Sequence, residues 1–115
     1  MWRRQMKASF HSTNKYHAQK VEWHGMRFDS KKEFNRYMEL QIMEKAGLIS
    51  NLKRQVPYII IPYSKWGRAI KYIADFDYME DGKHVLEDSK GVVTPLFKLK
   101  KRLVAERYGI EIRIT

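Results

Sequence analysis

The chain has no cysteine. That absence removes disulfides, cysteine-ligated zinc and thiol catalysis together, and it suits a reducing, cytoplasmic setting. No apolar run approaches the ~18 residues that span a bilayer, so no membrane partner is expected. The opening residues, MWRRQMKASF, lack the apolar stretch of a secretory signal and read as part of the working protein. Acids are scarce as well. None precedes Glu22, and the 115 residues carry 13 Asp and Glu against 23 Lys and Arg, a formal net charge of +10. What is plentiful excludes other classes: 43% hydrophobic and 13% aromatic residues are too many for a disordered chain or a coiled coil. The length suits one domain around one core.

An excess of positive charge implies a polyanionic partner. Its distribution is uneven. Between Asp75 and Asp88 lie six acids (Asp75, Asp77, Glu80, Asp81, Glu87, Asp88) and one base, Lys83, a local net of −5, which leaves +15 for the rest of the chain. A surface built only to hold nucleic acid has no use for such an island, because it repels phosphate. A bound divalent cation reverses that local field. Glu80 and Asp81 read more simply as a solvated hairpin tip.

Residues 1–20 form a basic, aromatic-dotted arm without clear period, expected to be flexible or to order on a partner. The domain proper is expected over residues 21–115. Val21 to Phe28 reads as a hairpin turning at His24-Gly25, with Glu22 opposite Arg27 and Val21 opposite Phe28. A helix should start at Asp29 or Ser30 and stop at Gly47, burying Phe34, Tyr37, Met38, Gln41 and Ile42 on one face. Pro57 to Ile61 is a short buried strand, and Ser64 to Arg68 a basic loop carrying an exposed Trp66. Ile70–Tyr78 and Lys83–Lys90 are strands around a turn. Thr94-Pro95 starts a second helix that runs to Tyr108-Gly109, with Leu96, Leu99 and Leu103 as its core stripe. IEIRIT closes as a strand. The order predicts an α/β fold, a mixed sheet flanked by helices.

Asp81-Gly82 is a favoured two-residue hairpin turn, and its length fixes the register. Glu80 then faces Lys83, Tyr78 faces Val85, Phe76 faces Glu87 and Asp75 faces Asp88. Like charges directly opposite are destabilising unless something positive lies between them. Asp77 and Lys90, each two residues along, fall on the same face, while Glu87 points to the other, beside Phe76.

Asp75, twelve residues, then Asp88-Ser89-Lys90 resembles the motif of the PD-(D/E)XK nuclease superfamily, in which two acids and a lysine sit on neighbouring strands. Ala74 stands where the superfamily's name has proline. At longer range the stretch from Asn14 to Tyr108 is similar to a family of small phage and prophage proteins. That similarity rests on NKYHAQKVEWHGMRFDSKKEFNRY, AGLISNLKRQ, YIADFDY and LEDSKG. The resemblance implies a restriction-endonuclease-like fold in a bacterial host's cytoplasm. It also implies a metal-dependent endonuclease that cuts DNA, with resolution of Holliday junctions as its job. Carried to this chain, it marks Glu33, Asp75, Asp88 and Lys90 as catalytic. Glu33, Asp75 and Asp88 would hold Mg²⁺ (or Mn²⁺), whose hard oxygen ligands include water and phosphate. Glu33 has a structural reading too, because Ser30-Lys31-Lys32-Glu33 is a capping box. The alternatives are a nickase or general DNA nuclease, or a basic DNA-binding protein without catalysis.

The four histidines, His11, His17, His24 and His84, have no ligand spacing and read as structural. Gln55, at the entrance to the Pro57–Ile61 strand, reads as structural first, with a role near the site as the alternative. Lys98, Lys101 and Arg102 on the second helix, with Arg3, Arg4 and Lys7 in the arm, are expected to contact phosphate. Trp66 and the arm aromatics suit stacking on unpaired bases. A junction has twofold symmetry, so a homodimer is expected. Its contacts are assigned to Met1 to Phe28, where Trp2, Phe10, Tyr16, Trp23 and Met26 offer apolar surface. Truncating residues 1–13 should weaken DNA binding about equally across sequences. It should also flatten the log-affinity against log-salt slope by about one unit per lost phosphate contact, read by titration at several salt concentrations.

Overall fold

The computed structural model describes residues 9–13, 19–90 and 92–115. The chain divides into two compact units, Met1–Glu39 and Leu40–Thr115, and the division falls within the first helix.

The first unit holds β1 (Ser9–Thr13), β2 (Gln19–Trp23) and β3 (Met26–Phe28), an antiparallel sheet in that order. His24 and Gly25 turn the β2–β3 hairpin with φ of 51° and 77°, the positive values a two-residue turn of this hand demands. The register follows as expected, Val21 against Phe28 and Glu22 against Arg27. The last pair is also ionic, at 3.9 Å and exposed, so it contributes little. The arm differs from expectation. Ser9–Thr13 pairs with β2, Ser9 opposite Glu22 and Phe10 opposite Val21. Backbone hydrogen bonds to β2 order this segment, and they leave no hydrophobic period to read. A truncation that spares the sheet must therefore stop before Ser9.

Helix α1 (Lys31–Lys45) begins in this unit. Val21, Trp23, Phe28 and Phe34 form the unit's core, with Met26, Tyr37 and Met38 packed against it. Trp23 and Met26 are thus used internally and are not spare surface for a dimer. Trp2 and Tyr16 lie outside the described residues. Ile42, expected inside, is 67% exposed, whereas Glu33 and Leu40 are buried. The buried stripe of α1 is rotated toward those two positions.

The second unit is built on a four-stranded mixed sheet, β4 (Ser50–Ile61), β5 (Ile70–Glu80), β6 (Lys83–Asp88) and β7 (Ile112–Ile114), in chain order. β4–β5 and β5–β6 are antiparallel, and β7 lies parallel to β6. Helix α2 (Pro95–Tyr108) makes the crossover that a parallel neighbour requires. Thr94 caps it, its hydroxyl accepting from Phe97 N at 3.1 Å, and Gly109 ends it at φ 70°. Ile60, Tyr72, Ala74, Leu86, Phe97, Val104 and Ile112 make the core.

Two expectations need correction here. β4 starts seven residues before Pro57, because its polar alternation from Ser50 to Val56 belongs to a largely exposed strand. Of residues 57–61, expected buried, only Ile60 is, since one face of the strand is open. On α2, Leu96 and Leu99 are exposed, and the inward positions are Phe97 and Val104. Phe97 packs against Tyr72 with the rings tilted at 52° and their centres 6.2 Å apart, and that contact sets the rotation of the helix. Phe97→Ala should therefore cost about 3–5 kcal/mol, and Leu99→Ala no more than about 0.5 kcal/mol, in urea unfolding of the two variants.

Candidate functional site

The β5–β6 turn has the geometry its sequence demands, with φ of 52° at Asp81 and 75° at Gly82. Glu80 pairs with Lys83, Tyr78 with Val85 and Phe76 with Glu87. One step beyond the last pair, the ladder gives way to side chains. Asp75 Oδ2 accepts from Ser89 N at 2.9 Å, so the first acid is bonded to the backbone next to the second. Asp88 is buried. Its Oδ2 accepts from the Tyr72 hydroxyl at 2.5 Å, and its Oδ1 lies 3.5 Å from Lys90 Nζ. The ammonium also sits 4.8 Å from the Phe97 ring centre, a cation–π position that holds it near the carboxylate. Just past β7, Thr115 N donates to the Asp88 carbonyl at 3.0 Å. Asp75, in the middle of β5, is thus gathered with Asp88 and Lys90, at and just past the end of β6.

Tyrosine is the recurring partner on this hairpin. Tyr72 donates to Asp88, Tyr78 to Glu87, and Tyr58 to Asp77 at 2.5 Å. All three carboxylates are buried. A buried carboxylate must be hydrogen-bonded or lose several kcal/mol, and a phenol supplies the bond without cancelling the charge. The converse effect falls on the phenols. Burial, then the bond to Asp88, then the charges of Asp88 and Asp75 push the Tyr72 pKa far above its ordinary value. Tyr58 moves the same way through burial and Asp77.

Asp77 stands apart from Asp88 in its partners. His84 Nε2 lies 2.6 Å from Asp77 Oδ1 and 3.2 Å from the Tyr58 hydroxyl. Glu80, read as part of a solvated tip, meets Arg113 at 3.1 Å. Arg113 also donates to the Tyr78 hydroxyl at 3.2 Å, which ties Glu87 and Glu80 to β7 through one guanidinium.

Gln55, read from the sequence as structural before a role near the site, reaches Asp75. It lies inside β4 yet has φ 52°, a left-handed conformation costing of order 1–3 kcal/mol for a residue of this kind. Its amide Nε2 donates to Asp75 Oδ1 at 3.4 Å. The signal was weak, since nothing local distinguishes this glutamine.

Glu33 belongs to the first unit. It is buried, its backbone N–H donates to Ser30 Oγ at 3.1 Å, and its Oε1 accepts from Asp29 N at 3.2 Å. The capping box is therefore real, with the return bond displaced by one residue to Asp29. On α2, Lys98 and Arg102 are exposed and Lys101 is half-buried. Arg102 is 3.7 Å from Glu106, an exposed pair that weakly offsets its charge. Arg3, Arg4 and Lys7 lie outside the described residues.

A family model described as "Protein of unknown function (DUF1064)" matches residues 13–115. The chain belongs to that family. Glu33, Asp75, Asp88 and Lys90 all fall within the DUF1064 match, as do Lys98, Lys101 and Arg102, whereas Arg3, Arg4 and Lys7 precede it. No curated protein and no solved structure matches the chain. Among the described residues, no helix is long and apolar enough to cross a membrane.

Glu87 tests the separation of the two faces. It pairs with Phe76, away from Lys90, but it is fully buried on Tyr78. Glu87→Gln should leave any chemistry at Asp88 nearly unchanged. It should cost about 1–3 kcal/mol of stability, because an amide cannot replace both oxygens in that network. Chemical denaturation measures the cost.

Proposed function

We propose that the chain is a metal-dependent endonuclease of the PD-(D/E)XK type that hydrolyses DNA phosphodiesters, acting selectively on branched DNA such as Holliday junctions. The observation that carries this reading is Asp88, a buried carboxylate 3.5 Å from Lys90, with Asp75 bonded to the intervening Ser89. A four-stranded mixed sheet with one acid within β5, the other acid and the lysine at the end of the neighbouring β6, and a capped helix after them, supports a restriction-endonuclease-like fold.

The donor set fits Mg²⁺ (or Mn²⁺). Among the described residues no group of three or more His, Cys, Asp or Glu side chains is gathered to hold a metal unaided. Mg²⁺ at phosphate-handling sites takes one or two carboxylates, several waters and the substrate's own oxygens, which is what Asp75 and Asp88 offer. Bound there, the cation would polarise the phosphate and make its water more acidic. Tyr72 and the backbone of Ser89 orient the two carboxylates. Lys90 would orient the attacking water and offset charge building on the phosphate. Glu33 is proposed as a third acid, and Lys98, Lys101 and Arg102, with Arg3, Arg4 and Lys7, as phosphate contacts. Two symmetric nicks need two sites, so the active species is proposed to be a homodimer in a bacterial host's cytoplasm.

The test uses labelled four-way junction, duplex and single strand, with Mg²⁺ or with EDTA. The wild type should cut the junction only with metal. Asp75→Asn, Asp88→Asn and Lys90→Ala should each lower cleavage by at least about 10²-fold. Junction binding should persist, and should tighten in the Asp variants as phosphate repulsion falls. Wild-type cleavage by Asp88→Asn overturns the assignment. Binding without cleavage in either Mg²⁺ or Mn²⁺ leaves a non-catalytic DNA-binding protein.

A further inference from the structure

The β4–β5 connection is the opposite of the acidic hairpin in every chemical respect. From Lys45 to Ala74 the chain has six cations and no acid. In the middle of that stretch Trp66 is 86% exposed and Tyr63 77%. Beside them on the sheet, Ile61 pairs with Ile70, and both are about half exposed, as are Ile59 and Ile73. Lys65, Arg68 and Lys71 rim this apolar surface.

The surface is held in place. Ser64 and Gly67 exchange two backbone hydrogen bonds of 3.1 Å, and Trp66 N donates to Ser64 Oγ at 3.1 Å. Lys65 Nζ sits 4.9 Å from the Trp66 ring centre, so the indole is shown to solvent with a cation against it. At the strand's base, Arg107 and Tyr108 of α2 donate to the carbonyls of Ile60 and Ile59, both at 2.7 Å. These bonds stiffen the end of β4 that carries the aromatic loop.

Charge complementarity selects the occupant. A second copy of the same surface would set three cations against three cations, which is costly. A closed duplex offers phosphates but keeps its base faces stacked. An unpaired strand offers both an anionic backbone and free aromatic faces. We propose that Tyr63, Trp66 and the Ile61–Ile70 strip, rimmed by Lys65, Arg68 and Lys71, form a stacking platform for single-stranded DNA. The choice of DNA rests on the endonuclease reading. β5 then leads from Ile70 to Asp75, five residues or about 17 Å at ~3.4 Å per residue. That equals roughly five base steps of B-DNA. The platform would hold unpaired bases near a branch while the backbone lies across the carboxylates.

The test is binding in EDTA, which keeps it independent of cleavage. The probes are labelled oligothymidylate of about 20 nucleotides, longer than the 4–16 a single-strand site covers, a duplex of equal length, and oligouridylate. Trp66→Ala should weaken oligothymidylate binding by about 5- to 150-fold, the ~1–3 kcal/mol of one stacked base, and change duplex binding less than about twofold. Trp66→Phe should restore most of the loss. The double variant Lys65→Ala with Arg68→Ala should weaken both DNAs and flatten the salt slope by about two. Unchanged single-strand affinity in Trp66→Ala overturns the platform, and so does an equal loss on duplex. Tighter binding of oligouridylate with the same Trp66 dependence assigns the surface to RNA instead. Self-association that light scattering finds only with Trp66 present assigns it to a second copy. Junction cleavage with intact single-strand binding in Trp66→Ala overturns the platform and spares the nuclease. The selective loss in a protein that never cuts does the reverse.

Discussion

Asp81 and Gly82 both adopt positive φ, and a two-residue turn of that hand permits one register between β5 and β6. A slip of one residue would exchange the faces of β6, sending Asp88 and Lys90 together to the side of Tyr78 and bringing Glu87 to that of Asp75. The turn is therefore the constraint from which the carboxylate arrangement of the second unit follows. β7 reinforces it from the other side, pairing Leu86 with Ile112 and Asp88 with Ile114. A local preference of two residues thus sets chemistry seven residues away.

The second organising fact is the mode in which negative charge is kept inside a protein of net charge +10. A guanidinium against each carboxylate would satisfy and also neutralise it. Here Tyr58, Tyr72 and Tyr78 satisfy three buried carboxylates and leave their charge in place. Asp88 also has Lys90 at 3.5 Å, and Asp77 has His84 at 2.6 Å. Asp75 is held by neutral N–H donors from Ser89 and Gln55. Buried charges held this way are costly, and the proposed cation would meet preorganised acceptors that need no rearrangement to bind it.

Features written in short sequence separations were legible. The His24–Gly25 and Asp81–Gly82 turns, the Thr94–Pro95 helix start and the Gly109 stop each depend on residues a few positions apart. The Asp75–Asp88–Lys90 grouping followed from the turn by counting. What was not legible depends on distant partners. Tyr58 lies 19 residues from Asp77 and Tyr72 lies 16 from Asp88, so no local pattern announces either bond. The α2 stripe was misplaced because leucine spacing competed with Phe97, whose packing on Tyr72 decides the rotation. β1 was missed because backbone pairing to β2 orders it, and that leaves no periodic trace.

The phenol–carboxylate pairs also make the hairpin sensitive to alkali. Folding raises the Tyr72 and Tyr58 pKa values, so the neutral phenols stabilise the native state fully below the ordinary tyrosine range near pH 10. That contribution is lost as pH climbs toward the folded values. Tyr72 cannot ionise in the folded protein without placing a second negative charge against Asp88. Its phenolate therefore appears when β5 and β6 separate, and the ultraviolet spectrum of an alkaline titration becomes a record of the hairpin opening.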